Sequence, residues 1–523
     1  MRLLRSTAII ASFTLMSRVL GLVRDVFIAR FMGAGGVTDA FFTAFKLPNI
    51  FRRMFAEGAF SAAFIPLYAR YMEEDGIEAA DAFARESMAA LIVAVAALVI
   101  FFEMTMPWTL SLIGFGLDRH IDPQTGISPY YLAVLYAQVT MPYLIFMSLT
   151  SLFSGILNTR NFFALAASVH MILNIFMILV LTQVVRMGWS KDEIGLYLSI
   201  AVTLAGIGQM ATVLYGCRRA GVKIGLQRPR MTPRVKRLLH LSIPGSISAG
   251  ITQINLLASN SIATIQNGAA SWLTYADRLY QLPLGMIGIA MGIALLPSLS
   301  RRLRAGDEKG AKMSLNRALE ISAFLTIPAA IALFVIPEFL ISGLFERGAF
   351  TSETTSQTAK ALRFFALGLP AFVLIKVFTP VFFAHENMKT PMIFAGLSMI
   401  VNISVGLILF FQIGFAGLAL ATTIAAWINV GCLVYTLLRQ NKFSPDKRLL
   451  LRVPPIILSA IIMGGALYYF VGHFPANLPA TIWVDFLGLA VVCGMGGIIY
   501  ALSAFIFRAF NINDMRDAFR RAS

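Results

Sequence analysis

Nine charged side chains fall between Ser17 and Phe60, in a stretch otherwise apolar enough for a bilayer: Arg18, Arg24, Asp25, Arg30, Asp39, Lys46, Arg52, Arg53 and Glu57. A charge at membrane depth costs several kcal/mol, so such residues face a wet cavity or one another and mark a pathway. At about 100° per residue, Ser17, Gly21 and Arg24 share a narrow arc of one helix, with Arg18 and Asp25 on an adjoining stripe. After Gly33, Gly35 and Gly36, Asp39 and Lys46 share a second face. Pro48 is expected to interrupt that helix, and Asn49, Arg53 and Glu57 follow at spacing four. Internal salt bridges joining two helices are one account of this pattern. The basic residues outnumber the acidic ones, however, and the surplus needs an anionic partner. The chemistry expected is anion binding inside the membrane.

The elements that must position these residues are transmembrane helices. The chain has 523 residues, 58% of them hydrophobic and only 13% charged, with mean hydropathy +0.76. Soluble proteins carry about a quarter charged residues. A helix needs roughly twenty apolar residues to cross about 30 Å of hydrocarbon. Such runs lie near 7–30, 37–69, 84–107, 130–157, 162–185, 194–217, 236–265, 270–298, 318–344, 358–384, 391–411, 415–438, 449–472 and 482–507. The fold class expected is therefore an all-α polytopic membrane protein of about fourteen helices. The opening, Met1 to Arg5 and then an apolar run, imitates a signal peptide. The run continues into Ser17 and Arg18 without a small-residue cleavage site, so an uncleaved first helix is expected.

The formal net charge of +17 does not call for nucleic acid. About 29 of the 43 Lys and Arg fall in segments that would be cytoplasmic, about 5 in outside loops and about 9 within spans, as the positive-inside bias requires. The basic runs 218–237, 301–317 and 439–452, and the tail after Arg508, set the orientation. Both termini are expected inside. The acidic segment from Met72 to Glu86 reads as a solvated loop, with a surface helix as the alternative. Cys217, Cys432 and Cys493 have no paired spacing, so neither disulfides nor a zinc site is indicated.

An internal repeat is legible. Placing Pro142 on Pro370 keeps one offset, at which Ala167, Met171, Ile172, Asn174 and Ile175 meet Ala395, Met399, Ile400, Asn402 and Ile403. Gly195-Leu196 resembles Gly417-Leu418, and Leu47-Pro48 resembles Leu282-Pro283. Two tandem six-helix lobes follow, in parallel repeat, with two C-terminal helices outside it. The expected domains are 1–217, 218–440 (with a basic cytoplasmic linker at 218–237) and 441–523. Transporters built from such repeats hold substrate at the repeat interface and rock around it.

Few other residues invite chemistry. Asp277 and Arg278 lie on the eighth span, the repeat partner of the charged second one, so Arg278 is expected to face the first lobe. An ion pair between these two neighbours is the alternative, although adjacent residues on a helix do not face each other. His170 and Asn174, one turn apart, read as a packed polar pair. Lys376 reads as a lone buried cation, or as one snorkelling to a span end. Glu103 and Arg363 read as interfacial. No P-loop, HExxH, GxSxG or DxD motif occurs, which argues against an enzyme and against nucleotide as an energy source.

Several of these residues stand in longer motifs. Ser17-Arg-Val-Leu-Gly-Leu-Val-Arg-Asp25, Thr38-Asp-Ala-Phe-Phe42, Phe45-Lys-Leu-Pro-Asn49, Phe51-Arg-Arg-Met-Phe-Ala-Glu-Gly-Ala-Phe60 and Tyr275-Ala-Asp-Arg-Leu279 resemble the lipid II flippase (MurJ, also MviN) family of the multidrug/oligosaccharidyl-lipid/polysaccharide exporter superfamily. The resemblance covers nearly the whole chain. It implies fourteen helices, two lobes around a V-shaped cavity, and a final pair lining a groove for the polyprenyl tail. It also implies transport of lipid II, the undecaprenyl-pyrophosphate-linked disaccharide pentapeptide of peptidoglycan biosynthesis, from the cytoplasmic to the outer leaflet of the inner membrane. The family's functional residues match Arg18, Arg24, Arg52, Arg278 and Asp39. Some members hold sodium with acidic residues on the seventh and eleventh helices. Those spans here carry no Asp or Glu, which counts against sodium coupling.

Residues and resemblance agree on one chemistry. Arginine grips phosphate oxygens bidentately through a planar fork, and a lipid pyrophosphate suits an arginine-rich cavity. The binding set expected is Ser17, Arg18, Arg24, Asp39, Asn49, Arg52, Arg53, Glu57 and Arg278, with no catalytic residue, no metal and no cofactor. The membrane potential is the expected driving force. Lipid II, membrane lipids and other cell-wall synthesis proteins are the expected partners. A cation-coupled drug exporter would favour acidic and aromatic walls instead; a membrane enzyme lacks its catalytic constellation; a scaffold leaves the buried charges unexplained.

Overall fold

A computed structural model describes residues 2–53, 60–119, 121, 126–474 and 482–509, and among them every regular element is helical. The first nine α-helices are α1 (Arg2–Met32), α2 (Gly36–Phe51), α3 (Ser61–Glu74), α4 (Ile77–Ile113), α5 (Pro129–Thr140), α6 (Tyr143–Thr159), α7 (Phe163–Met187), α8 (Lys191–Arg219) and α9 (Pro233–Ala263). The rest are α10 (Ala269–Arg304), α11 (Glu308–Val335), α12 (Pro337–Phe345), α13 (Ser352–Ala384), α14 (Lys389–Ile413), α15 (Ala416–Arg439), α16 (Lys447–Gly472) and α17 (Ile482–Ile506). Among the described residues, 10 helical stretches are long and apolar enough to cross a membrane: α4, α5 with α6, α7, α8, α11 and α13 to α17. The chain is a multi-pass membrane protein. The expected total of about fourteen would add α1, the α2–α3 stretch, α9 and α10.

Local signals explain most boundaries. Ser190 and Glu193 close a capping box at the start of α8. Thr232 caps α9 ahead of Pro233, and Asp446 caps α16 by accepting from Leu449 N–H at 2.7 Å. Both are positions where a short polar side chain satisfies a donor that the first helical turn leaves open.

Contacts divide the chain into two compact units, residues 1–271 with 347–350, and residues 272–346 with 351–523. The division falls after α9 rather than in the linker 218–237, because α9 packs on α3 and α4. In the first unit α1 lies against α7, α2 against α5, and α6 against α8. In the second, α15 lies against α13 and α14, and α11 against α13 and α16, with α17 on α16 and α12. Where helices touch in lipid, close packing and polar contacts replace the hydrophobic drive of water. Gly206 shows this: a Cβ there would sit 2.7 Å from the Tyr143 ring.

Several expectations change. The segment 72–86 is not a loop. Gly76, at φ +86°, turns the chain between α3 and α4, and the alanine-rich residues beyond it enter α4 with Asp81 and Phe83 buried. Pro48 does not break its helix; α2 runs through it to Phe51, as α10 runs through Pro283. Glu103 lies well inside α4, which continues to Ile113, so it is not at a span end. Lys376 is exposed on α13 rather than buried.

Candidate functional site

In the first unit the polar face of α1 meets α7. The Arg24 guanidinium donates through Nε and Nη2 to Asp25 Oδ1, at 3.0 and 2.7 Å, and through Nη1 to Asn174 Oδ1 at 2.9 Å. Asn174 in turn donates through Nδ2 to the Ser17 carbonyl at 3.0 Å, and Ser17 Oγ donates to the His170 carbonyl at 3.2 Å. Arg24 and Asp25 are only 6% and 3% exposed. Taking out one partner of such a buried pair leaves an uncompensated charge, at about 3–5 kcal/mol. Asn174 is thus the orienting partner of Arg24. It does not pair with His170, whose side chain is exposed.

Arg18, on the neighbouring stripe of α1, is half-buried and has no hydrogen-bond or ionic partner among the described residues. Arg52 follows the end of α2 and donates through Nε to Asn49 Oδ1 at 3.2 Å, while Asn49 Nδ2 donates to the Phe45 carbonyl at 2.7 Å. The Tyr143 hydroxyl stands within electrostatic reach of both Arg24 and Arg52, and His170 within reach of Arg52. Ser17, Arg24, Asn49 and Arg52 therefore share one neighbourhood. Arg53 is exposed. Glu57 lies outside the described residues.

Asp39 stands apart. It is 1% exposed and accepts from the backbone N–H of Gly268 and of Ser271, each at 2.7 Å, and from the Ser271 hydroxyl. This carboxylate sits on the first turn of α10, where helix N–H donors are open and negative charge is favoured. It acts on the chain as a helix cap supplied from α2. Lys46, on the same helix, donates to Asn260 Oδ1 at 2.7 Å, and Asn260 Nδ2 donates to Thr43 Oγ1 at 3.2 Å.

In the second unit, Arg278 is half-buried on α10, and the Gln281 amide donates to Asp277. Two further clusters escaped the sequence reading. Asp81, 1% exposed, accepts from Arg160, from the Tyr68 hydroxyl and from Lys223 N–H. Glu320, near the middle of α11, is ringed by Arg317, Arg448 and Arg452, with Asp446 closing on Arg317 at 2.6 Å. Charge counting hinted at the second, since an acid opening an apolar span needs a cation from a basic loop. Among the described residues no three His, Cys, Asp or Glu side chains gather where they could hold a metal ion.

The described residues thus form a helical multi-pass membrane protein that carries arginine on partly buried helix faces. The family profile described as "Lipid II flippase MurJ" matches residues 28–484. "Probable lipid II flippase MurJ" of Rhizobium meliloti (strain 1021) is 42% identical over 100% of this chain and 97% of its own. "Lipid II flippase MurJ" of Burkholderia cenocepacia is 33% identical over 94% and 95%. Among solved structures, "Lipid II flippase MurJ, inward closed conformation" matches with TM-score 0.75 and 28% identity, covering 95% of this chain and 98% of that one. A multidrug resistance MATE family transporter of the MOP superfamily, inward-facing, shares the fold at TM-score 0.68 and 15% identity, over 83% and 98%. The chain belongs to the lipid II flippase MurJ family, transporters rather than enzymes.

Proposed function

We propose that this protein moves lipid II from the cytoplasmic to the outer leaflet of the cytoplasmic membrane by alternating access, with arginines taking its pyrophosphate. The observation that carries this is the contrast within the first unit. Arg24 is neutralised by Asp25, while Arg18 on the same helix has no hydrogen-bond or ionic partner among the described residues. Arginine unmatched by carboxylate suits phosphate oxygens, which it meets with two parallel N–H donors. Asp39 then serves as a fixed cap rather than a ligand, and Arg278 adds a further cation on α10. The membrane potential favours outward movement of a negative headgroup, by about 2.3 kcal/mol per charge per 100 mV if the whole field is crossed.

Reconstitution with fluorescent lipid II tests the reading, by asking whether the headgroup becomes accessible to a quencher on the other side. Transport is expected, faster with the potential negative on the cytoplasmic side. No change of leaflet in well-folded protein would overturn it.

A further inference from the structure

The linker between α8 and α9 is fastened at both ends. Asp81 accepts the Lys223 N–H at 3.0 Å, Arg85 donates to the Lys223 carbonyl at 2.8 Å, and Val222 is buried. At the far end the Thr232 hydroxyl donates to Glu86 at 2.7 Å, Arg234 lies over the Tyr71 ring at 4.9 Å, and Val235 is fully buried. Between these anchors, residues 225–231 run without regular structure. Pro229 removes one backbone donor there. The segment presents Leu226, 84% exposed, and Met231, 61% exposed, on either side of exposed Arg228 and Arg230. Neither arginine has a hydrogen-bond or ionic partner among the described residues.

The acids at the two anchors are already engaged. Asp81 holds Arg160, Glu86 takes Thr232, and Glu78 pairs with Lys223 at 2.6 Å. Exposed Arg218 and Arg219 at the end of α8, and Lys236 and Arg237 at the start of α9, extend the basic strip. The strip follows directly on α8, a helix long and apolar enough to cross a membrane, and leads into α9.

We propose that residues 225–231 dock on the anionic phospholipid surface of the leaflet they face, with Arg228 and Arg230 on lipid phosphates and Leu226 and Met231 entering the headgroup–acyl boundary. Basic side chains beside a membrane end are drawn to anionic lipid, and apolar ones gain by partial insertion. The two anchors fix the ends of the strip, which lowers the ordering cost that opposes docking. An acidic protein partner would meet the arginines but would leave both large apolar side chains without a role.

The test uses the full chain with Cys432 and Cys493 replaced by serine and a polarity-sensitive fluorophore on a cysteine at Leu226 or Met231. The protein is placed in nanodiscs of phosphatidylcholine alone, or with phosphatidylglycerol. Emission should shift to the blue in the anionic discs only, and high salt should reverse it. Replacing Arg228→Gln and Arg230→Gln should lower the ratio of docked to free linker about fivefold for each arginine, whereas Arg228→Lys and Arg230→Lys should keep most of it. Equal emission in both lipids, or no response to the glutamines, overturns the proposal. So does burial of the probe in native membranes but not in anionic discs, which would assign the strip to a protein. These side chains are exposed, so an unchanged melting temperature separates lost docking from lost structure.

Discussion

Three hydrogen bonds already bind Arg24 to protein oxygens, two to Asp25 and one to Asn174, whereas Arg18, two turns earlier, has none among the described residues. The two positions should therefore respond differently to substitution. Asn174→Ala removes the acceptor for Nη1 and the donor to Ser17, and should lower stability by about 1–2 kcal/mol while leaving headgroup affinity largely intact. Arg18→Lys disturbs no contact and should leave stability within about 0.5 kcal/mol, yet weaken headgroup binding, because an ammonium lacks the fork. Melting curves in detergent beside binding of a lipid pyrophosphate check both, and a strong stability loss in Arg18→Lys would move that residue into the structural set. The placement of Arg24 with Ser17 on one face was legible, because helical geometry alone fixes it. Its partner was not, since Asn174 comes from a helix 150 residues away. Asp39 was legible as important but not as a cap, because the donors it meets, at Gly268 and Ser271, exist only once α2 reaches the turn before α10.

At the scale of elements, α16 and α11 run side by side, and their register can be read from paired residues. Glu320 meets Arg452 near one end, and Gly464 meets Ile331 farther along, where a Cβ on Gly464 would stand 2.6 Å from Ile331 Cγ2. Gly465, next in sequence, points into open space. The sequence alone groups these two glycines, and a substitution at either would be expected to disturb the tail-binding role of the last helix pair. The structure separates them. Gly464→Leu should force α16 off α11 and cost about 1–3 kcal/mol by overpacking, whereas Gly465→Leu should be neutral or slightly stabilising through helix propensity. Thermal melting of the two variants decides it, and equal losses would contradict the packing. Transport of long- and short-chain substrate in Gly465→Leu then probes the tail role free of a folding defect. Long-range contacts also explain why the segment 77–86 reads first as a solvated loop, with a helix only as the alternative. Its acids read as solvated until Asp81 is seen buried under Arg160 and Tyr68.

At the scale of the whole molecule, charge asymmetry governs orientation. Long apolar helices were legible because the bilayer imposes their length, and α7 and α14, which the sequence pairs through Asn174 and Asn402, each run 25 residues and bury that asparagine. The division into contact units was not, since α9 joins the first unit through packing that no linker composition announces. Orientation is the property on which the direction of transport depends. Asp118 is exposed in the short turn after α4, and Arg228 is exposed in the linker between α8 and α9. The basic strips 218–237 and 439–452 resist translocation during insertion, so both should remain cytoplasmic. A cysteine at Asp118 should react with an impermeant maleimide in intact spheroplasts, while one at Arg228 should react only after permeabilisation. If the linker docks on anionic lipid, labelling at Arg228 after permeabilisation should also be slower than at an exposed control such as Lys447, and should speed up in high salt. Reaction of Arg228→Cys from outside would invert the topology. The membrane potential would then oppose the proposed direction of a negative headgroup, and the transport reading would fall with the orientation.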